Sequence, residues 1–155
     1  MRNKDNCTFK NYVMIQAIII DDERKGRVAL KQKLQDYCQN VTVIGEAENG
    51  EQGLELIKKL QPQIIFLDIE MPRMDGFQML QNLPQKNFHL IFTTAYDQYA
   101  IKAIKYAAFD YLLKPIDIEE LKTAIAKIPL QQVFETEKNW KHFNKIFKQK
   151  IISIK

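Results

Sequence analysis

The sequence predicts an α/β fold, a parallel five-stranded sheet doubly wound with helices on both faces. Three observations predict it. Short apolar runs at Ile15 to Ile20 and Ile64 to Leu67 read as strands buried on both faces. Five strand-like segments alternate with five segments of helical period between residues 15 and 128, and such alternation calls for a parallel sheet. Polar residues of chemical use, Asp21-Asp22, Asp68, Thr94 and Lys114, stand at the ends of four of those strands.

The first strand, 15–20, runs into Asp21-Asp22-Glu23, and a helix follows with Val28, Ala29, Leu30, Leu34 and Tyr37 at near-helical spacing. Val41 to Ala47 is the second strand, with Val41, Val43, Gly45 and Ala47 alternating against more polar neighbours. Asn49-Gly50 reads as a turn. Leu54, Leu56, Ile57 and Leu60 give the second helix its apolar face, and Pro62 blocks its continuation. The central strand covers 63–67. Met74-Asp75-Gly76 reads as a turn before a short helix from Phe77 to Leu83. His89 to Thr94 is the fourth strand. Asp97 to Lys105 is a helix with Ala100, Ile101 and Ile104 expected inward. Tyr111 to Leu113 is the fifth strand. Asp117 caps the last helix, whose stripe is Ile118, Leu121, Ile125 and Ile128.

Composition narrows the class. The chain has 155 residues, enough for one domain with an appendage. No apolar run approaches the roughly 18 residues of a membrane span, and the first thirteen residues lack the core of a secretory signal. Cys7 and Cys38 show no metal or redox spacing. A cytoplasmic protein with free thiols and no membrane attachment is expected. The net charge of +4 sits at the ends. Residues 130–155 hold six lysines against two glutamates, and 1–13 hold three basic residues against one acidic. The middle is slightly acidic, so the basic balance is no argument for nucleic-acid binding by the body of the chain.

Right-handed crossovers bring all the strand ends named above to one edge of the sheet, the edge where open α/β sheets bind ligands. Three carboxylates gathered there, Asp21, Asp22 and Asp68, repel one another and stay ionised only with a compensating cation. Their hard oxygens, with no nitrogen or sulfur ligand, suit Mg²⁺. A carboxylate beside a metal can attack phosphorus and form an aspartyl phosphate. Thr94 and Lys114 would supply a hydroxyl and an ammonium to share the phosphoryl charge.

These residues together resemble a response-regulator receiver domain over 15–128. The matching pieces are Asp21-Asp22 after the first strand, Asp68 within LDIEMPRMDG, Thr94-Ala95 after the fourth strand and Lys114-Pro115 after the fifth. The resemblance implies the flavodoxin-like sheet order 2-1-3-4-5. It implies Asp68 as phosphoacceptor for a sensor histidine kinase. Mg²⁺ would be held by Asp22 directly, by Asp21 largely through water, by Asp68 and by the backbone carbonyl of Glu70. Thr94 would be the switch hydroxyl, Tyr111 the switch aromatic and Lys114 the phosphate-pairing lysine. Such a protein is a signalling switch rather than an enzyme, and a homodimer formed on phosphorylation through the 97–128 face is expected.

From Thr93 on, TTAYDQYAIKAIKYAAFDYLLKPI resembles receivers that carry a LytTR-type DNA-binding domain. The expected organisation is a disordered extension at 1–13, a receiver at 14–128, a partly helical linker at 129–150 and the start of a truncated output domain at 151–155. Val133, Phe134, Trp140, Phe143, Ile146 and Phe147 give the linker an amphipathic pattern. DNA contact and transcriptional control would belong to the absent output domain. Two competing readings are an aspartyl-nucleophile phosphatase of haloacid-dehalogenase type, with Glu70 as general acid, and a receiver-fold interaction module that is never phosphorylated.

Overall fold

The computed structural model describes residues 13–129. The expectations for 1–12 and for the linker and output segment at 130–155 lie outside the described residues. Five parallel strands, β1 (Ile15–Ile20), β2 (Val41–Ala47), β3 (Ile64–Leu67), β4 (His89–Thr94) and β5 (Asp110–Leu113), form one sheet. Their order is β2-β1-β3-β4-β5, the flavodoxin-like arrangement. The helices are α1 (Arg24–Tyr37), α2 (Gly50–Leu60), α3 (Gly76–Gln81), α4 (Ala100–Lys105) and α5 (Ile118–Ala126).

Two apolar layers hold the sheet. Leu30 and Leu34 of α1 join Leu121, Ala124 and Ile125 of α5 over Ile15, Ile19, Phe66 and Ile91. On the other face Ile57, Phe77, Met79, Leu80 and Ala103 pack over Ile18, Ile20, Ile65, Leu67 and Phe92. β3 is buried at every position, which is why its sequence is apolar without alternation. Burial of each such side chain contributes about 1.5–3 kcal/mol before entropy is counted.

Several local expectations change. The β1–β2 register shifts between Ala17 and Ile18, whose partners are Val43 and Gly45. Ile44 is the extra residue, and the bulge reverses the phase of the strand. Val41 and Val43 pack with α1, whereas Ala47 packs on the α2 side, so the four residues do not share a face. Asn49 is the N-cap of α2 rather than part of a turn, its side chain accepting from the Gln52 amide at 2.9 Å. Asp75 caps α3 through a reciprocal capping box with Gln78. Val28 and Tyr37 lie on the solvent side of α1. The central strand starts at Ile64 rather than residue 63.

The segment after β4 departs most. Asp97–Tyr99 is a 3₁₀ turn, and α4 proper is six residues long. Ala103 is its buried residue, while Ile101 is 75% exposed and Ile104 is also exposed. Ala100 is only half-buried. The face that α4 turns to the sheet is that of Ala103, and Ile101 and Ile104 lie off it.

α4 ends in a Schellman motif. The Ala108 amide donates to the Ala103 carbonyl at 3.2 Å and the Ala107 amide to the Ile104 carbonyl at 3.0 Å. Ala107 occupies the left-handed position at φ 53°, where a Cβ costs roughly 1–2 kcal/mol. Glycine would relieve that strain and lose part of the gain to unfolded-chain entropy. Ala107→Gly should therefore raise stability by about 0.5–1 kcal/mol, read as a higher urea midpoint at unchanged slope. A lower midpoint would contradict the capping account.

Candidate functional site

The sheet register fixes where the polar strand ends meet. Ile20 is the partner of Leu67, so Asp21 and Asp68 leave adjacent strands side by side. The Asp68 amide donates to the Ile20 carbonyl at 2.8 Å, and the Asp21 amide to the Ala47 carbonyl at 3.0 Å. On the other side the Lys114 amide donates to the Thr94 carbonyl at 2.7 Å. Backbone pairing thus continues one residue past each strand and holds the site residues on rigid support.

Asp21, Asp22 and Asp68 each turn a carboxylate oxygen inward, and these atoms lie within 4.8 Å of one another. Asp21 and Asp68 are buried. Lys114 reaches between them, its Nζ 2.7 Å from Asp21 Oδ2 and 3.3 Å from Asp68 Oδ2. The Glu23 amide donates to Asp21 Oδ1 at 2.8 Å, fixing the first acid. Burial pushes the Asp68 carboxyl up to about 6; the Lys114 charge opposes this and the Asp21 charge reinforces it. For Lys114, burial works against the ammonium, but the bond to Asp21 and the charges of both acids outweigh it and raise its pKa. One ammonium does not balance three acids. The donor set is all hard oxygen, which fits a small divalent cation.

Thr94 is fully buried, and its Oγ1 accepts from the Tyr96 amide at 3.3 Å. Tyr111 is half-buried on β5, against Phe92, and its hydroxyl donates to the Tyr96 carbonyl. Glu70 is exposed two residues past Asp68, its Oε1 accepting from the Tyr99 hydroxyl at 2.7 Å. The acids, Thr94 and Lys114 therefore meet at this one edge, while Tyr111 stands two residues back on β5, opposite Phe92, and reaches the loop after β4 through its hydroxyl.

Supporting residues escaped the sequence reading. Arg27 donates from Nη1 to the Asp21 carbonyl at 2.6 Å and lies 3.7 Å from Glu46. Gly26 packs so tightly that a Cβ there would stand 2.7 Å from Asp21 Oδ2. Lys33 ties α1 to the loop after Lys114, donating to the Ile116 carbonyl at 2.5 Å. A glycine inside a helix costs about 1 kcal/mol relative to alanine, and that local cost is the signal that could have found Gly26.

The family model described as response regulator receiver domain matches residues 17–126. This chain belongs to that family. An uncharacterized response regulatory protein of Vibrio cholerae serotype O1 is 44% identical over 116 residues, covering 74% of this chain and 48% of its own. The transcriptional regulatory protein BtsR of Escherichia coli K12 is 42% identical over 116 residues, with the same coverage of 74% and 48%. The chain thus spans about half the length of the curated relatives it matches. Among solved structures, the receiver of the response regulator AraT from Geobacillus stearothermophilus shares 36% identity at a TM-score of 0.64, covering 74% of this chain and 92% of that one. TrrA of Thermotoga maritima, solved in complex with Mg²⁺ and beryllium fluoride, shares 31% identity at a TM-score of 0.65, covering 74% and 98%. The receiver fold accounts for the clustering of acids, hydroxyl and lysine. Among the described residues no helix is long and apolar enough to cross a membrane.

Proposed function

We propose that Asp68 accepts a phosphoryl group from a sensor histidine kinase and that this receiver passes the change to an output domain controlling transcription. The observation that carries the reading is the contact of Lys114 with two buried aspartates inside a three-acid cluster. Mg²⁺ would be held by Asp21, Asp22, Asp68 and the Glu70 carbonyl, and would draw charge from the phosphoryl oxygens. An Asp68 carboxylate oxygen forms the new O–P bond while the P–N bond of the donor phosphohistidine breaks, and the imidazole leaves with the electron pair. Lys114, already beside Asp68, pairs with a phosphoryl oxygen. Thr94 donates its hydroxyl to another and gives up its bond from the Tyr96 amide.

That exchange gives the signal its exit. The Thr94–Tyr96 contact and the Tyr111–Tyr96 bond meet in one loop, so moving Thr94 disturbs the seat of Tyr111. The face of α4, β5 and α5 carries exposed Ile101, Ile104 and Leu113. Covering them in a symmetric dimer is the natural closed outcome. The output module is, in our reading, a LytTR-type DNA-binding domain of about 100 residues, and DNA contact belongs to it.

The phosphatase alternative is not favoured. Its general acid would be Glu70, whose carboxylate is exposed and occupied by the Tyr99 hydroxyl.

Mass spectrometry after incubation with acetyl phosphate and Mg²⁺ tests the acceptor. For the switch, beryllium fluoride with Mg²⁺ should strengthen self-association in the wild type and much less in Thr94→Ala, measured by sedimentation at several concentrations. A mimic that binds without changing wild-type association would exclude this dimer route. Metal binding has its own test. Asp22→Ala should weaken Mg²⁺ by roughly 100-fold or more, beyond the 10–100-fold cost of losing an outer-shell partner. The fold should remain, because removing one of three acids relieves repulsion. Equal Mg²⁺ affinity in a fluorescence titration would refute the ligand assignment.

A further inference from the structure

The loop between β4 and α4 meets the acceptor loop at Glu70, where the Tyr99 hydroxyl makes the direct hydrogen bond and the nearby Glu70 charge also raises the pKa of the Tyr96 phenol. The Tyr99 hydroxyl, at the end of the 3₁₀ turn, donates to Glu70 Oε1 at 2.7 Å across 29 residues of chain. We propose that this bond is a resting-state latch and that Tyr99 is a positioning residue for the acceptor site. Tyr99 would act on the site by restraining α4 and the backbone that Thr94 must carry with it. The proposal rests on the phosphoacceptor reading for its consequence, but the latch itself does not.

The bond matters because little else anchors this region. No residue of the 3₁₀ turn is buried, and neither the turn nor α4 has a side-chain N-cap. α4 buries Ala103 and leaves Ile101 75% exposed. Segments with few buried apolar contacts open at low free energy, so a single hydrogen bond to a carboxylate is a large share of what holds them. The other ties are the Tyr111 bond to the Tyr96 carbonyl, the Gln81 bond to the Tyr106 hydroxyl at 2.9 Å, and aromatic contacts. Tyr99 meets Phe77 edge-on at 6.1 Å between ring centres, and Lys102 Nζ lies 4.4 Å above the Phe77 ring. The Tyr99 ring has a second neighbour in Tyr96, at 6.2 Å and nearly perpendicular. These ring contacts do not need the hydroxyl, which makes the latch separable from packing.

Tyr96 links the latch to the switch. Its amide donates to Thr94 and its carbonyl accepts from Tyr111. When Thr94 turns toward a group on Asp68, the backbone at 95–99 has to follow, and Tyr99 on Glu70 resists that movement. An unlatched protein spends a larger fraction of time in the competent loop position. Apparent affinity for a phosphoryl mimic rises in proportion to that fraction.

The test uses the full chain and three variants. Tyr99→Phe keeps the ring and removes the donor. Glu70→Ala removes the acceptor, and Glu70→Gln retains an acceptor oxygen. Hydrogen exchange is read at the amides of 97–105 without any phosphodonor, and beryllium fluoride affinity is read with Mg²⁺. Exchange should rise roughly three- to tenfold in Tyr99→Phe and Glu70→Ala, with Glu70→Gln between these and wild type because its acceptor is neutral. Beryllium fluoride should bind Tyr99→Phe more tightly by a factor no larger than that rise. Unchanged exchange in Tyr99→Phe overturns the latch. Faster exchange with unchanged mimic affinity overturns its control of the site. If wild type fails to bind the mimic at all, the phosphoacceptor reading fails, while the exchange data still decide whether the latch exists.

Discussion

The protein incubated with Mg²⁺ and acetyl phosphate should gain one phosphoryl group, and Asp68→Asn should gain none. The expectation follows from placement. Asp68 and Asp21 are the buried acids of the cluster, but Asp21 is committed on both oxygens, to the Glu23 amide through Oδ1 and to Lys114 through Oδ2. Asp68 has the weaker lysine contact, at 3.3 Å, and a carboxyl that burial pushes up to about 6. A carboxylate in a partly desolvated site holds its electrons less stabilised than one in water, and is the better nucleophile once ionised. Asparagine keeps the shape and removes the nucleophile. The loss should be complete within detection by intact-mass measurement, with the fold retained by circular dichroism. Phosphorylation of Asp68→Asn at the wild-type rate would move the acceptor elsewhere.

The sheet and the acidic cluster were legible in the sequence because their signals are local and strong. Ile64-Ile65-Phe66-Leu67 has no alternation to misread, and parallel topology alone sends Asp21, Asp68, Thr94 and Lys114 to one edge. The misreadings share a cause. Val41, Val43, Gly45 and Ala47 look like one face until Ile44 bulges, and a bulge is set by the partner strand rather than by its own residues. Ile101 and Ile104 look like core, but α4 is six residues long and turns Ala103 to the sheet, which leaves both isoleucines exposed. Apolar periodicity says that a face exists but not what covers it, and here the exposed isoleucines lie on the proposed association face. The ties that fix loops around the site, Arg27 to the Asp21 carbonyl and Tyr99 to Glu70, join residues whose proximity no spacing rule encodes.

Gly76→Ala should slow phosphoryl acceptance strongly although the acceptor itself is kept. Met74-Asp75-Gly76 reads as a turn, and the usual reason for a turn glycine is a positive φ. That is not the reason here, because none of the described glycines has a positive φ. Gly76 is the first residue of α3, and it lies directly under the acceptor loop. A Cβ at this position would stand 2.5 Å from the Asp68 carbonyl oxygen, 3.2 Å from Ile69 Cα and 3.3 Å from Leu67 Cγ. Two of those three neighbours are backbone and cannot swing aside. The Gly76 amide also donates to the Ile69 carbonyl at 2.8 Å, so the two segments are already locked at their closest approach. Alanine must push α3 and the Asp68 loop apart, which costs about 1–3 kcal/mol as overpacking. The displacement falls on the residue that must meet phosphorus in line, and a shift of about 1 Å can cost on the order of 100-fold in rate. The expected result is a folded, less stable protein whose phosphorylation by acetyl phosphate is slowed roughly 100-fold, with Mg²⁺ affinity reduced because Asp68 and the Glu70 carbonyl move together. Gly50→Ala is the control. The three atoms nearest its Cβ would all belong to the Met74 side chain, Sδ at 2.8 Å, and a flexible thioether can yield. Wild-type phosphorylation in Gly76→Ala would show that the acceptor loop tolerates displacement and that Asp68 is not held in position by its contact with α3.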